Sequence, residues 1–441
     1  MLKYSYRNLL IILFITTFSN LIISQTRYLI GDVNNDNNID ILDIVRMVDI
    51  IIGQGMEPTS YELWAGNFNF DEVIDILDIA IVINNILDAD TLFNWNMTNW
   101  EYLGFEGEGV VSILQDPYED GVYYVGTTSA WGGEFQGGIY KTQNGGADWD
   151  TLMTSVSVSQ MTLNSYDSQI LTATLNDVNL SNPGLVISDN GGQYWIDISD
   201  GIPLGFGVNV YPVAIKPDSP TTILTGTTGL AGGYIYRTIN GGADWELAPG
   251  TESWGSLYLL YDPENPQICY ASLSSVGILK SSDAGAIWDL TIYETPATSN
   301  WIKLDPRDSD VIYISDYSLG GIQMSYNSGD VWGAFSELPD SLDIFYNPNL
   351  QFEIYQIDQS KVVYFLGSPY GIYSSENGLS WHLINQGLPS DEYASYPELE
   401  EATPIKVLSI NTYTQTILIT VTHKGLFRLD LSTIVNYPMR K

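Results

Sequence analysis

Thr142-Gln143-Asn144-Gly145-Gly146-Ala147-Asp148-Trp149 is the stretch on which the fold turns, because five near-copies follow it. They run Ser188, Asn190, Gly192, Trp195; Thr238, Asn240, Gly242, Trp245; Ser281, Asp283, Gly285, Trp288; Ser325, Asn327, Gly329, Trp332; and Ser374, Glu376, Gly378, Trp381. An Asn or Asp side chain accepts hydrogen bonds from turn amides, and glycine supplies a backbone angle that other residues resist. The hydroxyl closes the turn and the tryptophan packs beneath it. Each copy therefore predicts a hairpin turn, and its carboxylates are structural rather than catalytic.

The copies stand about 43–50 residues apart, a period that matches one blade of a β-propeller. Outward from each motif the same unit recurs. A strand ends at an Asp-Pro or similar turn (Asp116-Pro117, Lys216-Pro217, Asp262-Pro263, Asp305-Pro306), and a second strand follows. A third begins with glycine and enters the motif, as in Gly138-Ile139-Tyr140-Lys141 and Gly277-Ile278-Leu279-Lys280; the fourth carries the tryptophan. Near the start, Asn99 to Leu103 reads as a fourth strand with none before it. At the other end, Ile417–Val421 and Gly425–Arg428 read as second and third strands without a motif. Together they make one further blade, so residues 99–441 are expected to close as a mainly β, seven-bladed ring through both ends of the chain.

The repeated motif resembles the Asp-boxes of sialidases, sortilins, two-propeller xyloglucanases and the photosystem II assembly factor. The resemblance implies that the boxes lie away from the face that works. It does not carry those families' chemistry with it. A sialidase needs a convergent arginine triad, whereas here Arg307 sits in the Asp-Pro-Arg-Asp turn and Arg237 and Arg428 take the third-strand position held elsewhere by Lys141 and Lys280, so none is expected to converge at a central pocket. The xyloglucanase cleft lies between two propellers, and one is expected here. The cysteine-rich region of sortilin-like receptors is missing: Cys269 is the single cysteine, set between Ile268 and Tyr270 as a buried strand residue.

A second, shorter repeat precedes the ring. Ile39-Asp40-Ile41-Leu42-Asp43-Ile44 recurs as Ile74-Asp75-Ile76-Leu77-Asp78-Ile79. Asp32, Asn34 and Asp36 lead into the first copy; Asn67, Asn69 and Asp71 lead into the second. Counted from Asp32, oxygen side chains fall at positions 1, 3, 5, 9 and 12, the spacing with which a twelve-residue loop wraps a hard cation. The carbonyls of Asn38 and Val73, at position 7, would add an oxygen each. The metal candidates are thus Asp32, Asn34, Asp36, Asn38, Asp40 and Asp43, then Asn67, Asn69, Asp71, Val73, Asp75 and Asp78, with calcium as the cation. Apolar residues continue at helical spacing (Ile44, Val48, Ile51; Ile79, Ile83, Ile86), so each loop leads into a helix.

Two such halves resemble the dockerin module, whose paired loop–helix units bind calcium and dock onto cohesin domains. The resemblance spans residues 31–87 and implies a small all-α, EF-hand-like module over residues 26–90, joined to the propeller by a linker at 91–98. It also implies a cohesin-like partner. In dockerins positions 10 and 11 often touch that partner; here they are Ile41-Leu42 and Ile76-Leu77, which could equally be core. Position 6, usually glycine, is Asn37 in one loop and Glu72 in the other. Asn67 replaces the usual first Asp, so the second loop is expected to bind more weakly. With a linker between them, module and propeller are expected to fold independently.

Residues 1–25 carry the pattern of a secretory signal. Lys3 and Arg7 precede the apolar run Leu9–Phe18, and the small residue Ser24 precedes a cleavage point. An uncleaved anchor is the alternative, disfavoured by Thr16, Thr17, Ser19 and Asn20 within the apolar run. The mature chain is expected outside the cell or on its surface, with no stable membrane span. A net charge of −37 excludes non-specific attraction to nucleic acid.

Aromatic residues expected on the face opposite the repeated turns, Trp131, Phe135, Trp254, Trp301 and Tyr370, are candidates for stacking on sugars, or simply for packing between loops. A glycosidase needs two carboxylates roughly 5–9.5 Å apart. Asp391, Glu392, Glu398, Glu400 and Glu401 are available in one loop, with nothing to single out a pair. The leading reading is a non-catalytic extracellular binding or assembly protein whose propeller recognises a glycan or protein. The alternative is a polysaccharide-degrading glycoside hydrolase attached to a complex through its N-terminal module.

Overall fold

The computed structural model describes residues 28–36, 38–68, 70–71, 73–87, 93, 95, 98–128, 137–176, 184–204, 208–273, 276–291, 301–316, 321–336, 350–359, 361–378, 380–390 and 403–434. Within them the chain forms seven four-stranded antiparallel blades. Blade one is β2 (Gly109–Gln115), β3 (Tyr123–Thr128), β4 (Gly138–Thr142) and β5 (Asp150–Thr154); blade two is β6 (Ser157–Leu163), β7 (Leu171–Asn176), β8 (Gly184–Ser188) and β9 (Ile196–Asp197). Blade three comprises β10 (Val208–Ile215), β11 (Ile223–Gly233), β12 (Ile235–Thr238) and β13 (Glu246–Leu247). Blade four comprises β14 (Ser253–Tyr261), β15 (Cys269–Leu273), β16 (Gly277–Ser281) and β17 (Asp289–Leu290). These two sheets are joined by pairing of β11 with β14. Blade five is β18 (Ile302–Asp305), β19 (Asp308–Asp316), β20 (Gly321–Ser325) and β21 (Gly333–Ser336). Blade six is β22 (Gln351–Gln356), β23 (Val362–Ser368), β24 (Gly371–Ser375) and β25 (His382–Leu383).

The seventh blade is built from both ends of the ring. Its inner strands are β26 (Ile405–Asn411), β27 (Thr416–Val421) and β28 (Gly425–Asp430), and its outer strand is β1 (Glu101–Gly104). Glu101 pairs with Arg428, Tyr102 with Phe427, and a bulge follows before Gly104 pairs with Leu426. The ring thereby leaves no end blade with an open face.

Seven apolar clusters hold the described residues together, each filling the space between consecutive blades. Leu103, Leu418 and Leu426 meet Val110 and Ile113 across the closing seam, and Tyr124 and Ile139 meet Val158 and Met161 between blades one and two. Between blades four and five, Tyr270 and Ile278 meet Ile302 and Ile312. Cys269 is fully buried among Leu259, Tyr261 and Leu279, and burial pushes its thiol up to about 12. Because strands alternate their side chains, each blade feeds the cluster on either side.

The repeated turns join the third and fourth strands of blades one to six. In the first, Thr142 Oγ1 donates to Asn144 Oδ1 (2.9 Å) and accepts from Gly146 N (3.0 Å), while Asn144 Oδ1 accepts from Asp148 N (3.0 Å). The tryptophans fall just before the fourth strand rather than within it, and some tie neighbouring blades. Trp149 Nε1 donates to Leu103 O on β1 (3.0 Å), and Trp245 Nε1 to Ile198 O just after β9 (2.7 Å). The turn glycine also lies against the preceding blade. A Cβ on Gly192 would stand 2.5 Å from the Leu152 side chain, which explains why no larger residue occupies it.

The sixth turn corrects the reading of its residues. Ser375, not Ser374, donates to Asn377 Oδ1 (3.3 Å) and accepts from Gly378 N (2.9 Å); Asn377 Oδ1, not Glu376, accepts from Ser380 N (2.9 Å). The turn is one residue shorter than the other five, so Ser-x-Asn is the pattern its geometry uses.

Three helices lie among the described residues: α1 (Ile41–Ile51), α2 (Ser60–Gly66) and α3 (Ile76–Leu87). None is long and apolar enough to cross a membrane. The first and third match the repeated apolar spacing; the second arises from a Thr59–Glu62 capping box. The helices do not stand apart from the propeller. Met47, Tyr61, Phe68 and Val82 of this N-terminal module share one apolar cluster with Tyr313, Phe335, Phe352 and Tyr364 of blades five and six. Inside the stretch read as a linker, Phe93 is buried against Tyr355, and Trp95 meets Phe365 edge-on.

Candidate functional site

The two acidic loops are built by side chains that fold back onto their own backbone. In the first, Asp36 N donates to both Asp32 Oδ1 (2.8 Å) and Asn34 Oδ1 (2.9 Å), and Asn38 N donates to Asp36 Oδ1 (2.9 Å). Asp43, one turn into α1, accepts from Asn34 N (3.1 Å) and Asp40 N (2.8 Å), closing the loop on the helix. The second loop repeats most of this, with the amide of Phe68 at position 2 in the place of Asn34 at position 3. Asp71 N donates to Asn67 Oδ1 (3.1 Å), Val73 N to Asp71 Oδ1 (3.1 Å), Phe68 N to Asp78 Oδ1 (2.7 Å) and Asp75 N to Asp78 Oδ2 (2.9 Å). Asp40 and Asp75 also accept from Leu42 N and Leu77 N at the helix starts.

Asp32, Asp43 and Asp78 are fully buried. Burial, then the neighbouring Asp36 and Asp40, raises the Asp43 carboxyl against the lowering effect of its amide donors. The donor set is all oxygen, and buried carboxylates crowded by like charge are the chemistry that suits a hard cation. Among the described residues, no three His, Cys, Asp or Glu side chains converge on one point. Asn69, Asn37 and Glu72 lie outside the described residues. The left-handed backbone residues that are described stand instead at position 4, Asn35 (φ 58°) and Phe70 (φ 57°).

The apolar pairs at positions 10 and 11 are not core. Ile41 and Leu42 are 69% and 54% exposed, and Ile76 and Leu77 are 74% and 58% exposed. They occupy equivalent places at the starts of α1 and α3.

On the propeller, the first strands of all seven blades surround a central channel of about 750 Å³. Its polar side chains tie adjacent inner strands together. Gln115 Nε2 donates to Ser409 O (3.0 Å) between blades one and seven, and Gln160 Oε1 accepts from Val213 N (2.9 Å) between blades two and three. Lys303 Nζ and Glu353 Oε1 form an ion pair (2.6 Å) between blades five and six. Burial opposes the charge on Lys303, but Glu353 and Tyr258 outweigh it and keep the amine protonated. Lys406 also lines the channel, with its side chain exposed; it makes no ion pair among the described residues, and partial desolvation lowers its pKa. Glu353 is the carboxylate among the described channel-lining residues.

Of the aromatic candidates, Trp301 lines the channel but is buried, with one face stacked on Phe352 (5.0 Å between centroids). Tyr370 is half-buried in the β23–β24 hairpin, where its backbone accepts from Asn385 Nδ2 (3.0 Å). Trp254 lies on β14, but its side chain, like all of Trp131 and Phe135, lies outside the described residues. So do the loop carboxylates from Asp391 to Glu401. The three propeller arginines do not converge. Arg237 donates to Ala284 O, Arg307 forks onto Asp305, and Arg428 reaches Gly145 O and Glu101.

What the sequence reading missed is an aromatic seam on blade five. Tyr326, inside the fifth turn, is stacked on Trp64 (5.4 Å) and meets Tyr28 and Tyr61 edge-on (5.2 and 5.9 Å). A signal existed. The corresponding residues of the other turns are Gln143, Asp189, Ile239, Ser282 and Glu376, so Tyr326 is the one aromatic at that place.

No family model matches the chain. Over 143 residues, 29% of this chain, it is 30% identical to an oligoxyloglucan-reducing end-specific xyloglucanase of Emericella nidulans, matching 17% of that protein. Over 151 residues, 27% of the chain, it is 25% identical to the xyloglucanase Xgh74A of Acetivibrio thermocellus, matching 18% of it. The matched stretch thus spans less than a fifth of each curated relative. Among solved structures, YCF48 from Cyanidioschyzon merolae superposes with a TM-score of 0.51 at 14% identity, covering 76% of this chain and 99% of that one. YCF48 bound to D1 peptide gives a TM-score of 0.50 at 13% identity, covering 77% and 98%. An ancestral GH74 enzyme gives 0.50 at 16% identity, covering 77% and 46%. The structural likenesses establish the propeller fold.

Proposed function

We propose that this chain is an exported calcium-binding adaptor, whose propeller holds a glycan or protein ligand and whose dockerin-like module attaches it to a cohesin-like partner. The observation that carries this reading is the exposure of Ile41, Leu42, Ile76 and Leu77 at two equivalent helix starts. Apolar residues repeated in sequence and left in water at both repeats are the mark of a contact surface. The amide-closed acidic loops beside them support calcium as the ion that would hold each helix start in place. Asp32, Asn34, Asp36 and Asp43 would hold the first ion, and Asn67, Asp71 and Asp78 the second, with the remaining oxygens drawn from the loop. The repeated turns, on this reading Asp-boxes, are scaffold, and the signal-like residues 1–25 support export.

The propeller's part is binding. Its channel presents amides, hydroxyls, phenols and Lys406, groups that suit a neutral polar chain or a peptide. The solved likenesses include a propeller holding a peptide, and the curated relatives include xyloglucan-degrading enzymes. The test is a glycan array probed with the purified chain, run beside capture by cohesin-type domains in calcium. Binding to neither overturns the reading.

The similarity to xyloglucanases favours a second reading, a glycoside hydrolase anchored through the same module. Release of new reducing ends from xyloglucan by the purified chain would establish it.

A further inference from the structure

The N-terminal module meets blade five at points that bracket both acidic loops. Tyr28, four residues before Asp32, donates its backbone amide to Ala334 O on β21 (3.0 Å), so the exposed edge of that blade is partly covered. Helix α2 lies on the fifth turn, with Ser60 Oγ and Tyr326 OH 3.2 Å apart and Trp64 stacked on Tyr326. Its last turn runs directly into the second loop, whose first residue, Asn67, is the helix cap and donates to Trp64 O (3.2 Å). Within that loop the ring of Phe70 sits 4.8 Å from the guanidinium of Arg307. Arg307 is itself buried and forked onto Asp305, so its position is set by blade five.

Phe70 is the informative residue. Both loops require a left-handed backbone at position 4, and in the first loop Asn35 takes it, a residue that tolerates that conformation. Phenylalanine does not tolerate it well, so the second loop's shape needs support from outside itself. Blade five supplies that support through the Arg307 contact and through Tyr326, stacked on Trp64 in the last turn of α2. A cation gripped by Asn67, Asp71 and Asp78 would favour the same loop shape.

We propose that cation loading of the second loop and docking of the module on blade five are thermodynamically coupled, each stabilising the conformation that the other needs. The proposal rests on the calcium reading above. Because coupling between two sites is reciprocal, the factor by which docking tightens calcium binding equals the factor by which calcium tightens docking. The molecule is then a calcium-dependent rigid arm: loaded, it fixes the partner-binding helix starts relative to the propeller, and stripped, it releases them.

The test uses the full mature chain. Calcium binding is measured by calorimetry, and the propeller melt is followed in calcium and in chelator. Coupling predicts that chelator lowers the melting temperature of the wild-type propeller and that Tyr326→Ala abolishes that difference. It also predicts that Tyr326→Ala weakens calcium binding about fivefold or more, the lower end of typical coupling. Phe70→Ala, which leaves the blade turn intact, should do the same if Tyr326→Ala does not fold. Wild-type calcium heat together with a melt indifferent to chelator overturns the coupling while leaving the calcium reading standing. Absence of calcium heat in the wild type removes both.

Discussion

Glu101 and Arg428 are cross-strand partners in the closing blade, joined by an ion pair although 327 residues separate them. Arg428 also donates to Gly145 O (3.0 Å) in the first repeated turn, so one side chain spans the seam between the last blade and the first. The ring is therefore closed by groups from both ends of the chain, and neither end can hold it alone.

Deleting residues 422–441 should remove β28 and leave strand β1 without a partner. The clusters on both sides of the seam, around Leu418 and around Ile419, would open. The loss should be several kcal/mol, comparable with a domain's whole stability of about 5–15 kcal/mol. The truncated chain is expected to aggregate, as sedimentation of the cell extract would show. A soluble product melting like the parent would contradict closure by this blade.

The shortened sixth turn separates two neighbouring serines. Ser375 closes the turn, whereas Ser374 Oγ is buried without a hydrogen-bond partner among the described residues. Ser375→Ala should cost about 1–2 kcal/mol, and Ser374→Ala should be near neutral. Urea unfolding of the two variants measures the difference, and the reverse order would restore the longer turn.

The thiol of Cys269 predicts an alkaline effect. Its folded pKa of about 12 lies above the ordinary 9.0 because burial disfavours the thiolate. A group raised in this way contributes stability that is complete below pH 9 and is lost as pH rises toward 12. Within that window it should cost about 1.4 kcal/mol per pH unit. Cys269→Ala should flatten the alkaline limb of a stability–pH curve by that slope. The native thiol should also resist alkylation at pH 8 until the chain is unfolded.

The loops predict unequal calcium sites. The first carries Asp32, Asp36, Asp40 and Asp43, while in the second Asn67 stands where Asp32 stands in the first. Two binding events are expected, on the order of 10⁻³ to 10⁻⁶ M, with the first loop tighter. Asp36→Ala, at an exposed position, should abolish the tighter event and spare the weaker. Loss of the weaker event instead would reverse the assignment.

The repeat told almost everything about the ring. A turn of fixed hydrogen-bond chemistry imposes its residues locally, so the Ser/Thr, Asn/Asp, Gly and Trp positions are legible one turn at a time. Seven blades and the two-ended closure follow from counting strands around those turns, and the burial of Cys269 from its apolar neighbours Ile268 and Tyr270. The one misread turn has two candidate hydroxyls side by side, Ser374 and Ser375, and only backbone geometry chooses between them.

Contacts between groups distant in the chain obey no such local rule. Nothing adjacent to Tyr326 announces Trp64, and nothing near Phe70 announces Arg307, because those pairs meet only after the ring has closed and presented blade five. The channel is similar: Lys303 and Glu353 are unremarkable surface-type residues in sequence, and become a half-buried ion pair because seven inner strands face one axis. Local turn and loop chemistry was thus determined by the sequence itself. The docking of the module, and which polar groups lost their water, were decided by tertiary structure, since burial and long-range packing depend on where the whole chain places each surface.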